Sequence, residues 1–303
     1  MKFYPEGVNS SLLKKFDNIS QIKEAMRSSE IVEGKVLLCD KEHNLHIDLG
    51  VCPGIIPYKE GALGIQEGTL RDIALISKVN KTVCFRIIGF HRKENGARVA
   101  VLSRRIVQLT CMKEYVEKLN EGDIIDAKVT HLEKFGAFID IGCGINSLIP
   151  IDMLSVSRIS NPSQRLSENQ TIKAVLKKRE EEKLTFSLKE LLGTWEENAG
   201  LFSVGETVTG IVRSVEGYGV FIELMPNLAG LAEYSDELRE GQKVSVYIKS
   251  IIPERMKIKL AVVEAFDDDN KNGELFYFEN GRHISSWRYS PKDAAKIIET
   301  TFD

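Results

Sequence analysis

Apolar and polar positions alternate most regularly between Glu121 and Asp152. Ile125, Ala127 and Val129 alternate with Asp126, Lys128 and Thr130, and beyond a break at Phe135-Gly136 a second apolar face runs through Ala137, Ile139 and Ile141. A period of two on both sides of a break predicts two β-strands joined by a tight turn. The same alternation assigns Phe138 to the polar face with Asp140 and leaves Phe135 at the mouth of the turn. A core has no use for rings there. A surface on which nucleobases stack does, at roughly 1–3 kcal/mol per base. The plainer alternative is that both rings cap one end of a small barrel.

The pattern recurs. Residues 205–223 lie over 122–140 without a gap, so that Gly122, Val129, Glu133, Gly136 and Phe138 meet identical partners and Phe135 becomes Tyr218. A worn copy precedes both: Glu33-Gly34-Lys35-Val36, then, with one extra residue in the turn, His43-Asn44-Leu45-His46-Ile47-Asp48-Leu49-Gly50. There the two ring positions hold imidazoles, His43 and His46. A repeat of roughly 80–90 residues is too long for a solenoid unit and suits tandem small domains.

The spacing G-x-x-x-x-A/G-x-V, then F/Y-G-x-F-I/V-D/E-I/L, then G-L/I ahead of a helical turn and a last hairpin, resembles the S1 RNA-binding domain of ribosomal protein S1 and its relatives. The resemblance covers about three-quarters of the chain. It implies a five-stranded OB-fold barrel whose open face binds oligonucleotides. The expected fold is therefore mainly β: three tandem S1-type barrels joined by short helices, with a C-terminal hairpin-helix extension.

The divisions follow from the repeats and from changes of period. Residues 1–30 form a helical lead-in with Ser20 as N-cap and Ile22, Ala25 and Met26 on one face. The first barrel spans 31–104 and closes with strands 82–90 and 98–103 around Lys93-Glu94-Asn95-Gly96. A linker helix follows at 105–119, its apolar face at Leu109, Met112, Val116 and Leu119. The second barrel spans 120–191. A linker at 192–202 carries the capping-box spacing Thr194-Trp195-Glu196-Glu197, with Trp195 expected to wedge between barrels. The third barrel, 203–265, lacks most of the usual helical turn. In 266–303, Asp267-Asp268-Asp269 reads as a solvated spacer. Beyond it, Glu279-Asn280-Gly281-Arg282 predicts a hairpin pairing 274–278 with 283–287, and 291–302 a closing helix. A lone hairpin is marginal in water, so it must dock on something.

Composition changes the picture little. A chain of 303 residues with 43% hydrophobic content has room for two or three domains. A net charge of −3 is not that of a nucleic-acid coater, yet residues 31–107 carry an excess of Lys and Arg whereas 203–265 carry an excess of acids. Five cysteines without a C-x-x-C pair, and no signal-like start, point to reduced thiols in a cytoplasm. No apolar run reaches the ~20 residues of a membrane span. Cys39, His43, His46 and Cys52 hold soft ligands, but C-x3-H-x2-H-x5-C is no familiar zinc spacing and strand alternation separates the side chains. There is no phosphate-loop, G-x-S-x-G or H-E-x-x-H motif, so neither an enzyme nor a cofactor is expected.

The expected ligand is single-stranded RNA, bound chiefly by the second barrel. By resemblance the setting is translation, with mRNA and the small ribosomal subunit as partners. Phe135 and Phe138 stack bases, Lys128 and Lys183 steer phosphates, Tyr218, Phe221 and Lys257 extend the groove, and His43 and His46 are lesser candidates. The family's histidine is replaced by Pro150 and by Glu233, and Arg179 stands where an acid is frequent. Pro150, Glu233, the imidazoles of the first barrel and the acidic balance favour the alternative, a ribosome- or transcription-associated protein scaffold with little RNA affinity, and the ring pair kept in two copies opposes it.

Overall fold

The alternating stretches become strands. The structure is a computed structural model that describes residues 2–92, 96–180, 183–266 and 275–302. The turn at 93–95, the acidic run at 267–269 and Glu274 lie outside the described residues. By contact the chain divides into two units, residues 1–119 with 140–146, and residues 120–139 with 147–303.

The first unit holds a closed barrel of β1 (Val32–Cys39), β2 (Leu45–Asp48), β3 (Pro53–Ile56), β4 (Thr82–Arg92) and β5 (Arg98–Ser103), ordered β1-β2-β3-β5-β4. Among the described residues of this barrel only the β3–β5 strand pairing is parallel. Its core gathers Val32, Val36, Leu45, Ile47, Phe85 and Leu102 with Ile22 and Ala25 from helix α1 (Ile19–Arg27). The cap of α1 is Asn18 rather than Ser20, because its Oδ1 accepts from Gln21 N at 3.0 Å while Gln21 Oε1 accepts from Asp17 N at 2.9 Å. A single turn, α2 (Ile73–Ile76), precedes β4.

Helix α3 (Arg104–Glu114) follows at once, capped by Ser103. It buries Arg104, Val107, Gln108 and Cys111; Leu109 and Met112, expected on the inner face, are half-buried. Polar bonds set this rotation. Arg104 grips Glu6 with Nε at 2.6 Å and Nη2 at 3.0 Å, and Gln108 Nε2 donates to Cys143 O at 3.1 Å. Asp140, expected on the polar face with Phe138, is 2% exposed. Its carboxylate accepts from the backbone N–H of Glu6, Gly142 and Gly144 at 2.8, 2.8 and 3.0 Å, which a solvent-facing position would not satisfy. All five cysteines are free thiols.

The second unit holds two barrels of the same topology. One comprises β6 (Ile124–Glu133), β7 (Gly136–Asp140), β8 (Asn146–Pro150), β9 (Thr171–Glu180) and β10 (Lys183–Ser187), with β8 parallel to β10. The other comprises β11 (Thr207–Glu216), β12 (Gly219–Met225), β13 (Leu228–Ala232), β14 (Lys243–Ile252) and β15 (Lys257–Phe266), with β13 parallel to β15. Five-stranded closure with one parallel pair is the OB-type architecture. Between them lies α4 (Trp195–Ala199), whose capping box of Thr194 and Glu197 forms as expected. Trp195 is 2% exposed and packs in the core of the third barrel.

The C-terminal segment departs from expectation. Residues 275–278 and 283–287 do not pair; instead β16 (Ser286–Arg288) pairs with β17 (Glu299–Thr301), and 291–302 forms no helix. The backbone groups needed for the expected hairpin are used elsewhere: Phe278 N donates to Leu191 O, Ile284 N to Gly122 O, and Arg282 O accepts from Ile124 N. Phe302 packs with Val175 and Leu191, whereas Trp287 and Tyr289 join the core of the third barrel. The segment thus straps both barrels of this unit.

Candidate nucleic-acid interface

In the middle barrel Phe135 closes the turn after β6 and Phe138 lies in β7. Phe135 is 56% exposed and Phe138 half-buried, their ring centroids 5.9 Å apart and planes at 87°. Edge-to-face contact holds one ring by the other and leaves faces open. The intervening glycine is dictated by the neighbouring strand, because a Cβ on Gly136 would stand 2.4 Å from Ile149 O. Phe135 O is tied to Ile151 N at 2.9 Å, which fixes the turn.

The third barrel repeats this geometry. Tyr218 is 72% exposed, Phe221 half-buried, and the rings sit 6.1 Å apart at 88°. A Cβ on Gly219 would stand 2.6 Å from Ala232 O, the counterpart of Ile149 O. Glu233, fully in solvent, pairs with Lys249 at 2.9 Å, so its charge is offset locally.

The first barrel differs. His46 Nε2 is bonded to Asp40 at 2.9 Å, and His43, at a φ of 60°, lies 3.4 Å from Asp72 and tilts against Tyr58. Burial pushes the Asp40 carboxyl up, but hydrogen bonds from His46, Asn44 and Glu42 outweigh it and hold the group well below the usual carboxylate range. Among the described residues the two imidazoles form no ring pair with each other, and each is held by an acid. Cys39, His43, His46 and Cys52 are not gathered: among the described residues no three potential ligands could share a metal ion.

Strand register identifies the basic positions. In the third barrel Phe221 pairs with Leu231, which pairs in parallel with Lys259. In the middle barrel Leu148, counterpart of Leu231, pairs with Thr185; in the first, His46 pairs with Ile55 and Ile55 with Val101. Two residues earlier stand Lys257, Lys183 and Val99. Both lysines are exposed and Val99 is buried. Lys259, exposed and in line with Phe221, was not among the expected contacts; only the parallel pairing reveals it. Lys128 is half-buried opposite Thr171. Its counterpart Ile211 pairs with Glu223, two positions along β12 from Phe221. Each ring pair lies within its own barrel, with Lys128 on the strand next to β7 and Lys183, Lys257 and Lys259 on strands one further removed from the rings.

Residues 118–189 match the family described as S1 RNA binding domain. Over 261 residues the chain is 30% identical to small ribosomal subunit protein bS1 of Staphylococcus aureus, covering 80% of this chain and 64% of that one. A homolog of that protein from Bacillus cereus is 28% identical over 263 residues, covering 81% and 66%. The chain therefore spans just under two thirds of the length of these relatives. Among solved structures, a multidomain protein with nucleic acid binding domains from Streptococcus pneumoniae is similar over 78% of this chain and 74% of that one, at 13% identity and a TM-score of 0.26.

Proposed function

The middle barrel belongs to the S1 RNA binding domain family, and from that premise we propose that this chain binds single-stranded RNA through its second and third barrels, in translation and in the cytoplasm, with mRNA and the small ribosomal subunit as partners. The observation that carries the reading is the doubled platform: two edge-to-face ring pairs of nearly equal geometry, each with one ring exposed at a turn and one half-buried on the strand that follows, at corresponding places in two barrels. Phe135, Phe138, Tyr218 and Phe221 stack bases; Lys128, Lys183, Lys257 and Lys259 supply phosphate attraction. Such sites accept many sequences because every base offers a π-face. The relatives named as ribosomal proteins support the translational setting.

The first barrel takes a different part. Its imidazoles are held by Asp40 and Asp72, and Val99 and Val101 occupy the positions of Lys257 and Lys259. These features disfavour stacking of an anionic strand and favour attachment to a protein surface, so the scaffold reading applies to this barrel.

The test is fluorescence anisotropy with an unstructured RNA of about 20 nucleotides, enough for more than one OB fold at roughly 4–16 nucleotides each. The expected result is salt-sensitive binding that falls by about tenfold or more in the Phe135→Ala/Phe138→Ala variant. No binding at low salt rejects the reading in favour of a scaffold throughout, and an unchanged affinity in that variant rejects the middle barrel as the centre of binding.

A further inference from the structure

The platform of the third barrel does not open directly to solvent on all sides. A cleft of about 580 Å³ lies over Tyr218 and Phe221, and part of its lining comes from residues 156–160, the loop after β8 of the middle barrel. That volume falls within the ~300–1,000 Å³ of small-ligand sites. The third barrel lacks the helical turn expected between β13 and β14, and the loop of its neighbour lines the cleft instead.

The loop is anchored at several points. Arg165 and Arg213 both clasp Glu223: Arg165 at 2.8 and 2.7 Å, Arg213 at 3.0 and 2.8 Å. All three side chains are more than nine-tenths buried. Val156 N donates to Asn227 Oδ1 at 2.9 Å, and Glu240 accepts from Ser160 Oγ and Gln164 Nε2. Those two bonds hold the Glu240 carboxyl below its ordinary value, aided by the Arg213 charge.

One feature of this construction calls for an anion. Two buried guanidiniums share one carboxylate, but the excess positive charge of that clasp is offset by Glu240 and Glu216, which also line the cleft. Arg158, by contrast, is exposed, lines the cleft and makes no ion pair among the described residues. An aromatic pair and a guanidinium lining the same cleft match the two parts of a nucleotide.

We propose that the 156–160 loop of the middle barrel and the platform of the third barrel form one composite subsite for a nucleotide of single-stranded RNA, its base stacked on Tyr218 and Phe221 and a backbone phosphate held by Arg158. The proposal rests on the RNA-binding reading above and goes beyond it: the two barrels bind as one body, and a residue of one completes the site of the other. Arg158 touches the phosphate; Arg165, Glu223 and Asn227 are positioning residues.

The test uses the full chain with the platform of the middle barrel removed (Phe135→Ala/Phe138→Ala), so that the remaining affinity reports the composite subsite. Binding of an unstructured RNA of about 20 nucleotides is followed by anisotropy over a salt series. Adding Arg158→Gln is expected to weaken binding about threefold to tenfold and to lower the slope of log affinity against log salt by about one, while Arg158→Lys keeps the slope. Adding Tyr218→Ala is expected to weaken binding with the slope unchanged. If Arg158→Gln leaves both affinity and slope as they were, the composite subsite is overturned while RNA binding by the platforms stands. Equal weakening by Gln and Lys at unchanged slope also overturns it, since that is the signature of a structural role. Absence of RNA binding by the unmutated chain overturns both readings together.

Discussion

The glycine between the two rings shows how one atom decides a site. Gly136 and Gly219 occupy equivalent places, and a Cβ on either would press within 2.4 or 2.6 Å of the carbonyl oxygen of the adjoining strand. In the first barrel the same place is Asn44, which lies just outside β2 and carries a side chain that accepts from Tyr58 N at 2.9 Å. The motif therefore contains glycine where the strand must run close beside its neighbour, not where a turn needs left-handed backbone alone. Gly136→Ala is expected to cost about 1–3 kcal/mol, the range for forcing an extra methyl into a packed site. It should also weaken RNA binding, because the shift falls between Phe135 and Phe138. Urea denaturation and anisotropy on the same preparation check both, and an unchanged unfolding midpoint would contradict the steric account.

At the scale of elements, the strap formed by residues 275–302 binds the second unit together. Trp287 and Tyr289 are 8% and 5% exposed in the core of the third barrel, and Tyr289 Oη donates to Asn227 O at 2.5 Å. Trp287→Ala is expected to destabilise the second unit by about 3–5 kcal/mol, as for other large-to-small changes in a core; a loss below about 1 kcal/mol in equilibrium unfolding would mean that the strap merely rests on the surface. The contrast with the barrels explains what was legible beforehand. Strands with a period of two announce their own inner face, so Ile125, Ala127, Val129, Ala137, Ile139 and Ile141 are all buried as read. The capping box at Thr194 is likewise local. The strap departs from its local pattern because Asn280-Gly281 favours a turn only if the flanking backbone has no better partner, and here Gly122 and Leu191 supply one. The rotation of α3 departs from its apolar period for a related reason: Arg104, polar in sequence, is among the largest fully buried side chains because Glu6, distant in sequence, pairs with it. The place of Lys259 beside the platform is not legible in sequence, since a parallel pairing leaves no trace in the local pattern.

For the whole molecule, the two units answer acid differently. In the first, burial pushes the Glu6 carboxyl up, but Arg104 and Lys78 outweigh it and bring it down to about 2. Asp140 is pushed up to about 6, by burial and then by the negative charge of Glu6. A carboxyl raised in the folded state binds its proton more tightly there than in the unfolded chain. The stability Asp140 contributes is therefore greatest at low pH and is lost as pH rises from about 4 through about 6. Glu6 acts oppositely, its contribution being present above about 4.5 and lost only as pH falls toward 2. In the second unit Glu223 is lowered, the pull of Arg165 and Arg213 exceeding the cost of burial, so its contribution is intact above about 4.5. His131 is raised by bonds to Glu168 and Glu133, and its small, exposed contribution is lost only above about pH 6.5. Between pH 4.5 and 6 the first unit should thus lose up to about 2 kcal/mol while the second changes little. The units can be read separately because both tryptophans, Trp195 and Trp287, lie in the second. Tryptophan emission should give a urea midpoint nearly constant over that interval, whereas far-ultraviolet circular dichroism should show an additional transition moving to lower urea as pH rises. Asp140→Asn should abolish that movement, since it removes the titrating group. A tryptophan midpoint that moves in step with the other transition would mean that the two units unfold as one cooperative body.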